Sequence, residues 1–99
     1  MQNVNIVIHP DGLKYHGSRG RRIGLRNKYS GAYRRIRPLL DQKGTVVIRG
    51  NPTFAATYVN QGDRVALYGD NTGGCVDKAA SSIRSKGATV KIIKEGVAP

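Results

Sequence analysis

Apolar and polar residues alternate at the start of the chain, where Val4, Ile6 and Ile8 share one side of the stretch 3–9. A period of two marks a half-buried strand. Pro10-Asp11-Gly12 follows. Proline pre-sets φ and glycine accepts a positive φ, so a turn is expected there. Leu13 to His16 would return as a second short strand, making residues 1–16 a β-hairpin. From Gly17 to Gly31 glycines recur and no apolar period is sustained, which predicts a loop or irregular strand. Ser30 is a candidate N-cap. Tyr33, Ile36 and Leu40 then recur at helical spacing, with Pro38 expected to kink or restart the helix. Residues 17–43 therefore read as a basic loop and helix.

The texture changes after Gly44. Thr45-Val46-Val47-Ile48 is a continuous β-branched run, as in a strand buried on both faces. Asn51-Pro52 opens a helix carrying Phe54, Tyr58 and Val59 on one side, with Gly62 as its stop. Arg64 to Tyr68 is a strand. Val76, Ala79, Ala80 and Ile83 fall at i, i+3, i+4 and i+7, an amphipathic helix ended by Gly87. Residues 88–93 form a last strand, and 96–99 read as a frayed tail. Strand–helix–strand–helix–strand over 45–93 argues for a small three-layer α/β unit with a short, mostly parallel sheet. Ninety-nine residues make one domain, with 44–95 as its α/β half.

Charge changes this picture. Arg19 to Arg37 holds eight basic residues and no acid. Between Lys14 and Arg49 eleven bases face one acid, Asp41, whereas the rest of the chain has six bases and five acids. Nearly all of the formal net charge of +11 is thus concentrated in about a third of the sequence. Such segregation produces a local field suited to a polyanion. Arginine fits phosphate oxygens with paired hydrogen bonds. Tyr15, Tyr29 and Tyr33 are interleaved with these cations, and a π-face beside a cation suits unpaired bases. Tyr33, on the apolar stripe, is expected in the core.

Other chemistries find little footing. The single cysteine, Cys75, precludes an intrachain disulfide. No apolar run approaches a membrane span and no leader pattern is present, so a soluble cytoplasmic protein without a membrane partner is expected. His9 and His16, seven apart with Cys75 distant, match no metal-ligand spacing, so neither a metal nor a cofactor is expected. Both histidines read as hydrogen-bonded surface residues, and Cys75 as packing. No triad or paired carboxylate emerges, so no catalytic residue is assigned.

A parallel sheet binds ligands beyond the carboxyl ends of its strands. Arg49 and Asn51 lie at one such end, and Asp70, Asn71, Thr72, Gly73 and Gly74 at another, leading into a helix whose dipole favours an anion. The run V-A-L-Y-G-D-N-T-G-G-C-V-D-K-A-A-S-S-I-R-S-K-G-A resembles the phosphate-binding loop of phosphoribosyltransferases, where an acidic strand end precedes T-G-G-T and a helix. Here the loop is shorter and the paired acids are missing. V-V-I-R-G followed by G-D-R-V-A-L-Y-G-D-N resembles a Toprim domain, which implies a glutamate where Arg49 stands and an acid pair where Asp70 stands alone. Magnesium chemistry would lack those ligands. Both resemblances cover the second half only.

The expected function is nucleic-acid binding, to RNA or DNA, with Arg19, Arg21, Arg22, Arg26, Lys28, Arg34, Arg35 and Arg37 as phosphate contacts and Tyr29 as a stacking platform. The alternatives are a nucleotide- or phosphate-ligand domain, enzymatic or purely binding, using Arg49, Asn51 and the loop 69–74, or a basic inhibitor docking on an acidic protein partner.

Overall fold

The computed structural model describes residues 2–19, 23–71 and 73–98. Four strands, β1 (Asn3–Ile8), β2 (Val46–Ile48), β3 (Arg64–Asp70) and β4 (Thr89–Ala98), form one sheet in the order β2-β1-β3-β4. Every neighbouring pair is parallel. Helices α1 (Pro10–Arg19), α2 (Ile23–Leu40) and α3 (Cys75–Ser85) and a 3₁₀ helix over Pro52–Tyr58 complete the chain. The small α/β unit with a parallel sheet is therefore present, and β1 belongs to it as an inner strand.

The expected hairpin over 1–16 is absent, because residues 10–19 are helical. Pro10 occupies the first helical position, where its missing N–H costs nothing, and Asp11 suits the positive end of the dipole. His9 makes the corner. It has φ +50°, a left-handed conformation that histidine visits more readily than most residues. Its N–H donates to the Ile48 carbonyl at 2.8 Å, and its Nε2 donates to the Gly50 carbonyl at 2.6 Å. Proline before a helix and proline in a turn look alike in sequence, and tertiary contacts chose the helix.

The expected loop over 17–31 is helical too, apart from the residues between α1 and α2 that lie outside the description. Glycine inside a helix costs about 1 kcal/mol relative to alanine, so propensity argues against these helices. Packing overrides it at Gly17, which lies so close to α2 that a Cβ there would stand 2.9 Å from the Ser30 amide nitrogen. Ser30 is not a cap; it sits within α2 and its Oγ donates to the Asn27 carbonyl. Pro38 falls in the final turn, where α2 continues only to Leu40. The expected frayed tail is strand through Ala98: past an irregularity in register, Val97 and Ala98 pair with Gly69 and Asp70.

Alternating side chains of the sheet supply two cores. On one face Ile6, Ile8, Val65 and Leu67 pack with Ala55 and Val59 and with Val76, Ala79, Ala80 and Ile83 of α3. On the other, Val7, Tyr68 and Ala98 pack with Leu13 of α1 and with Ala32, Ile36 and Leu39 of α2. The chain leaves β1 over the second face to reach β2, then crosses the first face to β3 on the other side of β1. The crevice beyond the carboxyl ends of β1 and β3 is thus a topological switch point, the usual ligand position in open α/β sheets. Gly69 lets these strands close there: it has φ +133°, and its missing Cβ would collide with the Ile8 backbone.

Candidate nucleic-acid interface

Helices α1 and α2 form an antiparallel hairpin. Gly17 abuts Ser30, and the ring of His16 lies 5.0 Å from that of Tyr29. Residues 18 and 19 of α1 and 23–28 of α2 consequently lie towards its outer end. The core stripe of α2, Tyr29, Ala32, Tyr33, Ile36, Leu39 and Leu40, occupies one side of the helix. At 3.6 residues per turn Arg34 falls opposite that stripe while Arg35 and Lys28 lie along its flank, and all three are exposed. Arg26 and Arg37 flank them. Arg37 pairs with Asp41 at 2.8 Å, but both side chains are exposed, and such pairs contribute little. The Arg26 Nε is buried and has no hydrogen-bond partner among the described residues. Arg19 closes α1, while Arg21 and Arg22 lie outside the described residues. Five of the expected phosphate contacts, 26, 28, 34, 35 and 37, lie on one helix, where Lys28, Arg34, Arg35 and Arg37 are exposed and Arg26 is partly buried.

Tyr29 takes a different position from the one expected of a stacking platform. It packs against the second core and its hydroxyl hydrogen-bonds Asp70 in the crevice. Burial first, then the charge and hydrogen bond of Asp70, raise its pKa above that of an ordinary tyrosine. Tyr33 packs against the same core, as expected. Burial likewise pushes the Asp70 carboxyl above the usual carboxylate range, opposed by His16, His9 and the Tyr29 hydroxyl. Its Oδ2 lies in space that a Cβ on Gly12 would fill. His9, His16 and Tyr29 thus surround one carboxylate, a grouping that sequence reasoning missed. The available signal was Pro10 read as the first residue of a helix, which would have put Gly12 and His16 one turn apart beside the strand ends.

The remaining strand-end residues are occupied within the protein. Arg49 Nε donates to Asp11 Oδ2 at 2.9 Å. Asn51 caps the 3₁₀ helix, accepting from the Thr53 N–H and hydroxyl through Oδ1. In the loop after β3, the Gly73 N–H donates to Asp77 Oδ2, and the Gly74 and Val76 N–H groups donate to the Asn71 carbonyl. A phosphate there would displace the Asp77 carboxylate and face that of Asp70. Thr72 lies outside the described residues. Cys75 is partly buried at the start of α3 and packs on the first core. Among the described residues no group of three His, Cys, Asp or Glu side chains is placed to hold a metal. A cleft of about 420 Å³, lined by Asn3, Asn5, Arg64, Thr89 and Lys91 among others, lies at the opposite, amino end of the strands.

Comparison with protein-family models, with curated proteins and with solved structures found no match to this chain. The likenesses of the strand-end run to phosphoribosyltransferases and Toprim domains accordingly carry no family assignment. Among the described residues no helix is long and apolar enough to cross a membrane.

Proposed function

We propose that this chain is a nucleic-acid-binding domain that lays the α1–α2 hairpin along a phosphate backbone. The observation that carries this reading is the solvent side of α2, where Arg34 stands opposite the buried stripe and Lys28 and Arg35 stand exposed on its flank. Two acids, Asp11 and Asp41, accompany the hairpin, and each already faces an arginine, Arg49 and Arg37. The cations of α1 and α2 are therefore left largely unneutralised. The phosphate-ligand alternative is less well supported, since the Gly73, Gly74 and Val76 amides after β3 have acceptors within the protein.

Counterion release supplies the test. Six phosphate contacts on duplex DNA give a slope of log K against log salt of about −5, and six on a single strand about −4. The double variant Arg34→Ala/Arg35→Ala should flatten the slope by about two units on a duplex while leaving the urea midpoint in place, because both side chains are exposed and alanine is the better helix former. Absence of oligonucleotide binding at low salt would refute the proposal. So would binding whose salt dependence is the same in the double variant.

A further inference from the structure

Taking the proposed nucleic-acid reading as its basis, we infer that α1 carries a stacking site for an unpaired base, with Tyr15 as the contact residue, so that the preferred partner is a single strand. Tyr15 is 59% exposed, although it stands on a helix that is otherwise held by its packing on α2. Its ring meets that of His16 at 5.3 Å and 82°, edge to face. The His16 ring lies 5.0 Å from Tyr29, which in turn hydrogen-bonds Asp70. Three rings thus run in a row from the crevice outward. The inner end is fixed by the core and by a carboxylate, and the outer end is open to solvent. Fixing matters because a side chain already held in place loses less entropy when it binds.

The surroundings select the ligand. Lys14 precedes Tyr15 on the same helix and is exposed, and Lys28 is the neighbour of Tyr29 on α2. Aromatic rings flanked by cations are how proteins hold single strands: cations follow the backbone and each base offers a π-face regardless of its identity. A paired base inside a duplex presents only its edge and cannot stack on Tyr15. The structure thereby moves the stacking role from Tyr29, which faces inward, to Tyr15.

Stacking contributes about 1–3 kcal/mol per base, equivalent to roughly a 5- to 100-fold change in affinity. Tyr15→Ala should therefore weaken binding of a twelve-nucleotide RNA or DNA single strand by that factor. It should leave the salt slope unchanged, since no charge is lost, and leave duplex affinity unchanged. Tyr15→Phe should retain single-strand binding. The chain has no tryptophan, so Tyr15→Trp introduces a single tryptophan, excitable where the remaining tyrosines absorb little, whose emission should be quenched by the single strand and not by the duplex. That readout also decides the matter if Tyr15→Ala lowers the urea midpoint. Unquenched Tyr15→Trp, with salt-dependent binding intact in the parent chain, overturns the stacking site and leaves the binding proposal standing. Equal loss of duplex and single-strand affinity in Tyr15→Ala also overturns it. No oligonucleotide binding by the parent chain overturns both.

Discussion

Two aspartates show how position reverses the behaviour of one side chain. Asp63 is 3% exposed; its Oδ1 accepts from the Gln2 N–H at 3.0 Å and its Oδ2 from the Asn60 N–H at 2.8 Å. Those two backbone donors hold its carboxyl below the usual range. Asp70 is shifted upward, chiefly by burial. A lowered folded-state pKa contributes stability that is present above the unfolded value, near pH 4, and lost as pH falls through the folded value. A raised one contributes stability that is present below the unfolded value and lost as pH rises through the folded value. Asp63→Asn should therefore lower the urea midpoint at pH 7, partly because an amide NH₂ must face one of the two donors, and the deficit should shrink below about pH 4. Asp70→Asn keeps an acceptor for Tyr29 and should raise the midpoint at pH 7, with the gain fading as pH falls towards 4. Urea titrations at pH 3 to 8 check both signs. A midpoint difference that does not move with pH would show that neither carboxylate is shifted by the fold.

The helical hairpin is the element that joins fold to proposed function, and its glycines divide into two kinds. Gly17 is where α1 touches α2: an added Cβ would lie 2.9 Å from the Ser30 nitrogen and 3.0 Å from its Cα, both backbone atoms. At Gly31, on α2, an added Cβ meets nothing within 4 Å. Gly17→Ala should thus force the helices apart and destabilise by about 1–3 kcal/mol, as overpacking does. Gly31→Ala should stabilise by about 0.5–1 kcal/mol through helix propensity and a less disordered unfolded chain. Urea midpoints of the two variants provide the comparison. Opposite signs are expected from the same chemical change. If both stabilise, α1 and α2 are not in the described contact, and the aromatic row that depends on their separation loses its frame.

At the scale of the molecule, one four-stranded sheet separates two cores, and the chain has principal extents of 40 × 26 × 21 Å. Ile36 belongs to the core under α2 and Ile83 to the core under α3, and both are fully buried. Ile36→Val and Ile83→Val should each cost about 0.5–1.5 kcal/mol. Because the sheet stands between them, their effects should add within about 0.5 kcal/mol, and each variant should unfold in one transition of unchanged denaturant dependence. Two separate transitions would mean that the cores unfold independently and the sheet does not couple them.

The sequence alone placed α3 and the strands β2 and β3, because their signals are local and redundant, whereas Phe54 and Tyr58, expected on one side with Val59, are exposed on a 3₁₀ helix. Val76, Ala79, Ala80 and Ile83 repeat at helical spacing, and all four are buried on α3. The β-branched and apolar runs at 46–48 and 64–68 lie in β2 and β3, and their parallel direction follows from the helical crossover between them, although β1, expected in a hairpin, separates the two. Segregated charge was equally legible, since a count of Arg and Lys needs no coordinates. What only the tertiary structure decided is concentrated in residues 9–31 and at the end of the chain. There helix formation rests on contacts distant in sequence: His9 to Ile48 and Gly50, Gly17 to Ser30, and Leu13 in a core with Tyr68 and Ala98. Glycine-rich segments carry little intrinsic preference, so packing chooses their conformation. The cluster of Asp70 with His9, His16 and Tyr29 was hidden for the same reason. Its members come from β3, α1, α2 and the corner between β1 and α1, and converge only where β1 and β3 end side by side.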